Sequence, residues 1–96
     1  MELTAVGIPW YRREEYDALR ASFEDGDGLH DTFDEWIADA EKLECEVLDT
    51  GVRVLRVYLS LKLFRAWCAM RNLPLVASSR ARYATEIARR RASGGV

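Results

Sequence analysis

The sequence predicts an α+β fold: about four helices packed on a small sheet of one or two strands per chain, a sheet that dimerisation would complete. Three observations predict it. Apolar residues recur at helical spacing in four separate segments, and one further segment, VRVLRVYLS, alternates at the strand period. The chain has 96 residues, 49% of them apolar and 10% aromatic, which suits one modest hydrophobic core. Residues 1–92 are expected to form a single domain, and residues 93–96, SGGV, a flexible C-terminal tail.

The elements follow in chain order. LTAVGI, residues 3–8, is a weak extended segment, and Pro9 biases Ile8 toward β geometry. A first helix is expected over residues 12–23, with Tyr16, Leu19 and Phe23 on its apolar side and Glu14 and Glu15 in its first turn, where the helix dipole favours anions. EDGDGLHD, residues 24–31, reads as a loop in which Gly26 and Gly28 supply positive-φ positions. Thr32 and Glu35 then form a capping box for a second helix over 33–49, whose stripe is Phe33, Trp36, Ile37, Ala40, Leu43 and Val47. Gly51 is a left-handed stop.

The strand covers about 52–59, with Leu55, Val57 and Leu59 on one face and Val52, Val54 and Tyr58 on the other. Ser60 caps a third helix, 61–72, in which Leu61, Phe64, Trp67 and Cys68 are buried; Leu63 and Met70 widen the apolar arc and suggest a central position. Asn72 and Pro74 end it. Ser78 or Ser79 would cap a fourth helix, 80–91, whose small stripe of Tyr83, Ala84, Ile87 and Ala88 allows close approach to a neighbour. The expected centre of the core is Phe33, Trp36, Ile37, Leu43, Leu55, Val57, Phe64 and Trp67.

A lone strand leaves its backbone polar groups without partners. The strand at 52–59 has two candidate partners, which are compatible: LTAVGI of the same chain, the first two helices forming the crossover, and its own copy in a second subunit. In the second case Val52, Val54, Arg56 and Tyr58 form the dimer strand.

The net charge of −2 conceals a division. Residues 1–50 carry 15 Asp/Glu against 4 Lys/Arg, whereas residues 51–96 carry 10 Lys/Arg against 1 Asp/Glu. The two halves should therefore attract each other on folding. No apolar run has the length of a membrane span, and the N-terminus lacks a basic region followed by a long apolar core, so a cytoplasmic location and no membrane partner are expected.

The order and spacing of Pro9-Trp10-Tyr11-Arg12-Arg13, Tyr16, Thr32-Phe33-Asp34-Glu35-Trp36, Ala40-Glu41, Gly51-Val52, Arg56-Val57, Phe64, Trp67-Cys68 and Arg80-Ala81-Arg82-Tyr83-Ala84 resemble a family of small bacterial proteins of unknown function. The resemblance spans roughly residues 7–88. It implies only a bacterial, soluble, free-standing protein, and it carries no statement about activity, substrate or cofactor. The chain departs from the pattern at Ser60-Leu61-Lys62, where acidic residues are expected.

Candidate chemistry is sparse. Counted from Asp25, the loop places Leu29 and His30 where a calcium loop needs an oxygen ligand and glycine, and Trp36 where it needs glutamate. Cys45 and Cys68 are read as reduced thiols, Cys68 in the core; with one histidine they do not make a zinc set, and no cofactor is expected. His30, the single histidine, has Asp27 and Asp31 as its nearest carboxylates in sequence. Phosphate-loop, dinucleotide, nucleophile-elbow and zinc-protease motifs are missing. In IPWYRREEY, Trp10 and Tyr11 either close one end of the core or stack on a base or peptide. The pointed feature is Arg80, Arg82, Arg89, Arg90 and Arg91, a cluster able to bind an anion or an acidic partner. The expectation is a small non-enzymatic protein-interaction module that self-associates, as a homodimer or with an unknown protein partner. The alternative is nucleic-acid binding through the arginine-rich fourth helix, although the sequence pI of 5.4 is far from basic.

Overall fold

The computed structural model describes residues 5–94. It contains a two-stranded parallel sheet of β1 (Ala5–Trp10) and β2 (Arg53–Tyr58), with four helices: α1 (Tyr16–Ser22), α2 (Phe33–Leu48), α3 (Leu61–Arg71) and α4 (Ala77–Gly94). Short 3-10 turns at Arg13–Glu15 and Gly26–Gly28 flank α1, so the expected first helix is split and shorter. β1 runs two residues past its expected end, through Pro9 to Trp10; Leu3 and Thr4 of the expected strand lie outside the described residues, as do 95 and 96 of the expected tail.

The strand at 52–59 thus pairs within its own chain, with α1 and α2 forming the crossover. The register sets Val6 beside Val54, Ile8 beside Arg56 and Trp10 beside Tyr58. The Leu59 N–H donates to the Trp10 carbonyl at 2.9 Å, which fixes the phase of the ladder. In a parallel pair, alternate residues point both backbone groups toward the neighbour. Those residues are Val6, Ile8 and Trp10 on β1, and Arg53, Leu55, Val57 and Leu59 on β2. Pro9 falls on the outward phase of β1, so its missing N–H removes no ladder bond.

The sheet lies between two layers. α2 covers the face of Ile8 and Trp10: the Trp10 and Trp36 rings meet edge-on with centroids 5.3 Å apart, and Trp36 also packs on Tyr11 and Tyr16. α4 covers the other face. A Cβ on Gly7 would sit 2.3 Å from the Ala84 carbonyl oxygen and 2.9 Å from the Ala88 Cβ, so the small stripe of α4 rests directly on β1 backbone. α3 packs beside α4 through the rings of Phe64, Trp67 and Tyr83.

Several expectations are corrected. Leu43, Leu63 and Met70 are exposed, so α3 is not enclosed; its buried stripe is only Phe64, Trp67 and Cys68, at i, i+3 and i+4. The core is instead richer at the N-terminus, where Ile8, Trp10, Tyr11, Tyr16, Leu19 and Phe23 are all buried. Trp10 and Tyr11 close the core rather than present rings to a ligand. Gly26 has no positive φ. It is required by close approach, because a Cβ there would lie 1.9 Å from the Arg20 carbonyl oxygen. The Thr32 hydroxyl accepts from the Glu35 N–H and donates to the Glu35 carboxylate, so only one half of the capping box forms. α4 begins at Ala77, ahead of both serines proposed as caps. Its cap comes from Asp25, more than fifty residues away, whose Oδ2 accepts the Ala77 N–H at 2.9 Å. Gly51 (φ 91°) and Asn72 (φ 54°) are left-handed, as their places after α2 and α3 suggest.

Candidate functional site

Among the ion pairs of the described residues, two join the acidic and basic halves of the chain. Arg80 is buried on α4, and its guanidinium makes two bonds to Asp25, at 2.8 and 3.2 Å, while lying over the Phe23 ring. The bonds from Arg80 hold the Asp25 carboxyl below its ordinary range. Arg80 is therefore a core residue and is withdrawn from the proposed anion surface. The second pair joins Arg56 of β2 to Glu44 of α2 by two bonds of 2.7 Å. It holds Glu44 low and raises Arg56, and the guanidinium also covers the Trp10 ring.

The other cluster members, Arg82, Arg89, Arg90 and Arg91, all lie exposed along α4. Seven residues separate Arg82 from Arg89, which puts both on one side of the helix. Arg82 also approaches the Trp67 ring, with Arg71 covering the same ring at 4.3 Å. Glu86, the acid of this half, is held low by the Trp67 indole N–H and by Arg71.

An open cleft of about 340 Å³ lies beside β1, walled by Ile8, Pro9, Tyr11, Leu29, Trp36 and Leu43, with His30, Asp39 and Arg80 at its edges. Burial pushes the Tyr11 hydroxyl up to about 12. His30 is oriented by Asp39 of α2, at 2.7 Å from Nε2, and not by either sequence neighbour; Asp31 instead pairs with Arg20. The other ring nitrogen, Nδ1, is sealed from solvent without a partner. A general base needs its lone pair within reach of the substrate proton. The pair therefore works as a latch between the 24–31 loop and α2. The Tyr16 hydroxyl supports it by donating to the His30 carbonyl at 2.6 Å. Cys68 is buried, and burial pushes its thiol up; Cys45 is exposed, and neither is bridged. Among the described residues no group of three or more His, Cys, Asp or Glu could hold a metal ion, and no helix is long and apolar enough to cross a membrane.

The remaining surface is the outer edge of β2. The ladder phase turns the backbone N–H and C=O of Val54, Arg56 and Tyr58 away from β1. Among the described residues no strand, loop or side chain bonds to these groups. Together with Val52 they are the residues expected for the dimer strand, and Tyr58 is 42% exposed. Leu48, 49% exposed, lies one turn beyond Glu44 on α2, hence on the flank that Glu44 turns toward β2. The two strands differ: on β1 the outward phase includes Pro9, which offers no donor, whereas every outward position of β2 has both groups. Sequence pattern marked β2 as an apolar strand, but which edge stays open depends on the ladder phase.

No protein-family model matches the chain, and no curated protein or solved structure matches it either.

Proposed function

We propose that this chain is a small non-enzymatic protein-interaction module that associates with a second copy of itself by strand addition at the outer edge of β2. The observation that carries the reading is the open run of backbone donors and acceptors at Val54, Arg56 and Tyr58, flanked by exposed Tyr58 and Leu48. Soluble proteins usually blunt such an edge with proline, bulges or lysine. Here proline sits on the other strand, and of the two arginines of β2, Arg56 is paired with Glu44 while Arg53 is exposed at the start of the strand. The test is the solution mass by light scattering on a size-exclusion column, for the native chain and for Val54→Pro. The native chain should have twice the chain mass. Val54→Pro removes an outward N–H that β1 does not use, so it should yield a folded monomer. A native monomer at high protein concentration would refute the reading.

A second reading rests on exposed Arg82, Arg90 and Arg91: contact with nucleic-acid phosphates. Absorbance at 260 and 280 nm on the purified protein, and salt-dependent binding abolished by charge reversal at Arg89 and Arg90, would support it. Indifference to both would remove it. A bacterial origin and a cytoplasmic site of action fit either reading and belong to the proposal.

A further inference from the structure

We infer that the second copy's β2 adds antiparallel to the first, with the two-fold axis passing between the two Leu55 residues; this rests on the self-association reading above. The ladder with β1 occupies the inward groups of Arg53, Leu55 and Val57, so only the outward residues are left to bond across a new seam. A two-fold axis perpendicular to the sheet makes the added strand antiparallel, and the residues that exchange bonds across it must be outward on both copies. Two registers keep most of the strand. One is centred on Arg56 and the other on Leu55.

Charge and the number of paired positions choose between them. Centring on Arg56 sets two Arg56–Glu44 pairs directly opposite one another, like charge nearest like, which is unfavourable across a seam. Centring on Leu55 sets Arg56 opposite Val54 of the second copy, and Tyr58 opposite Val52. Both registers set Tyr58 opposite a valine, Val52 here and Val54 in the other, a favoured cross-strand pair; only centring on Leu55 pairs all four outward residues with one another, since centring on Arg56 leaves Val52 opposite Ser60, the cap of α3. The strand is thus self-complementary: its Val52–Val54 half fits the Arg56–Tyr58 half of a copy running the other way. Each Arg56 keeps its own Glu44, and the other arginine of the strand, exposed Arg53, falls opposite Val57 of the second copy near the end of the seam. The same axis keeps α2 of both copies on one face of a four-stranded sheet, with each exposed Leu48 on the flank that borders the seam. Val52, just outside β2 here, becomes its first paired residue.

Single cysteines read the register. In a background of Cys45→Ser, which removes the exposed native thiol, Leu55→Cys places two sulfurs at directly opposed, non-hydrogen-bonded positions, with Cβ atoms ~4.5–5.5 Å apart. Under mild oxidation it should give a band at twice the chain mass on a non-reducing gel, and Arg56→Cys should not. Because Leu55 is half-buried, the double variant Val52→Cys/Tyr58→Cys serves as a second reporter at two rim positions. These are opposed across the seam only in the Leu55 register, and are too far apart to join within one strand. Cross-linking of Arg56→Cys but not of the other two would overturn the register and leave the β2 seam standing. A dimeric mass with no cross-link from any variant would overturn the seam. A monomeric mass would refute self-association itself.

Discussion

Gly7→Ala tests how closely α4 rests on the sheet. The added methyl would lie 2.3 Å from the Ala84 carbonyl oxygen and 2.9 Å from the Ala88 Cβ. Ordinary contact begins near 3.4 Å, so α4 must lift from β1 by roughly 1 Å, and neither neighbour is the flexible end of a long side chain. Overpacking of this kind costs about 1–3 kcal/mol. Alanine in place of glycine also restricts the unfolded chain, which returns about 0.4–1 kcal/mol. The expected net loss is about 1.3 kcal/mol, or a fall in Tm of about 5–10 °C for a domain of this size. Gly28→Ala is the control. A Cβ there meets nothing within 4 Å, so stability should be unchanged or slightly raised. The assay is urea unfolding followed by tryptophan fluorescence, with thermal melts alongside. Gly7→Ala as stable as Gly28→Ala would refute the direct seating of α4 on β1.

Trp67→Ala should cost about 3–5 kcal/mol, since the ring is buried between Phe64 and Tyr83; a urea midpoint near the native value would show the ring to be dispensable. Asp25, Glu44 and Glu86 are held below the ordinary 3.8 of aspartate and 4.5 of glutamate. Their stabilisation is complete above those values and is lost as pH falls through the lowered folded-state ones. Acid titration of the urea midpoint should fall below about pH 4.5, less steeply in Asp25→Asn. Tyr11 behaves in the opposite sense: raised from 10.0 to about 12, it favours the fold fully below pH 10 and loses that contribution as pH climbs toward 12. Absorbance at 295 nm should show late tyrosine ionisation, and Tyr11→Phe should reduce it, with the remainder from Tyr16, which burial also raises.

Much of the architecture was legible in the chain. Alternation in VRVLRVYLS, the i, i+3, i+4 spacing of Phe64, Trp67 and Cys68, and the stops at Gly51 and Asn72 are local signals, and each element formed where they pointed. The small stripe of α4 also announced a close neighbour. The misses share a cause. Leu63 and Met70 have the hydropathy of core residues, yet exposure is decided by whether another element arrives to cover them. Leu43 continues the α2 stripe, but the strand pair beneath it is too narrow to cover that flank.

The candidate surfaces divide in the same way. The sequence by itself determined that acidic and basic halves would attract, that an apolar strand needed partners, and that arginines would crowd the last helix; composition and periodicity suffice for such statements. Only the tertiary structure decided that Arg80 leaves the cluster to hold Asp25, that His30 is latched by Asp39 with its free nitrogen sealed, and that Asp25 caps α4. It also decided which edge of β2 stays open. Each of these depends on residues far apart in the chain being brought within a few ångströms. The ladder phase depends on a register between strands more than forty residues apart, which no local pattern encodes.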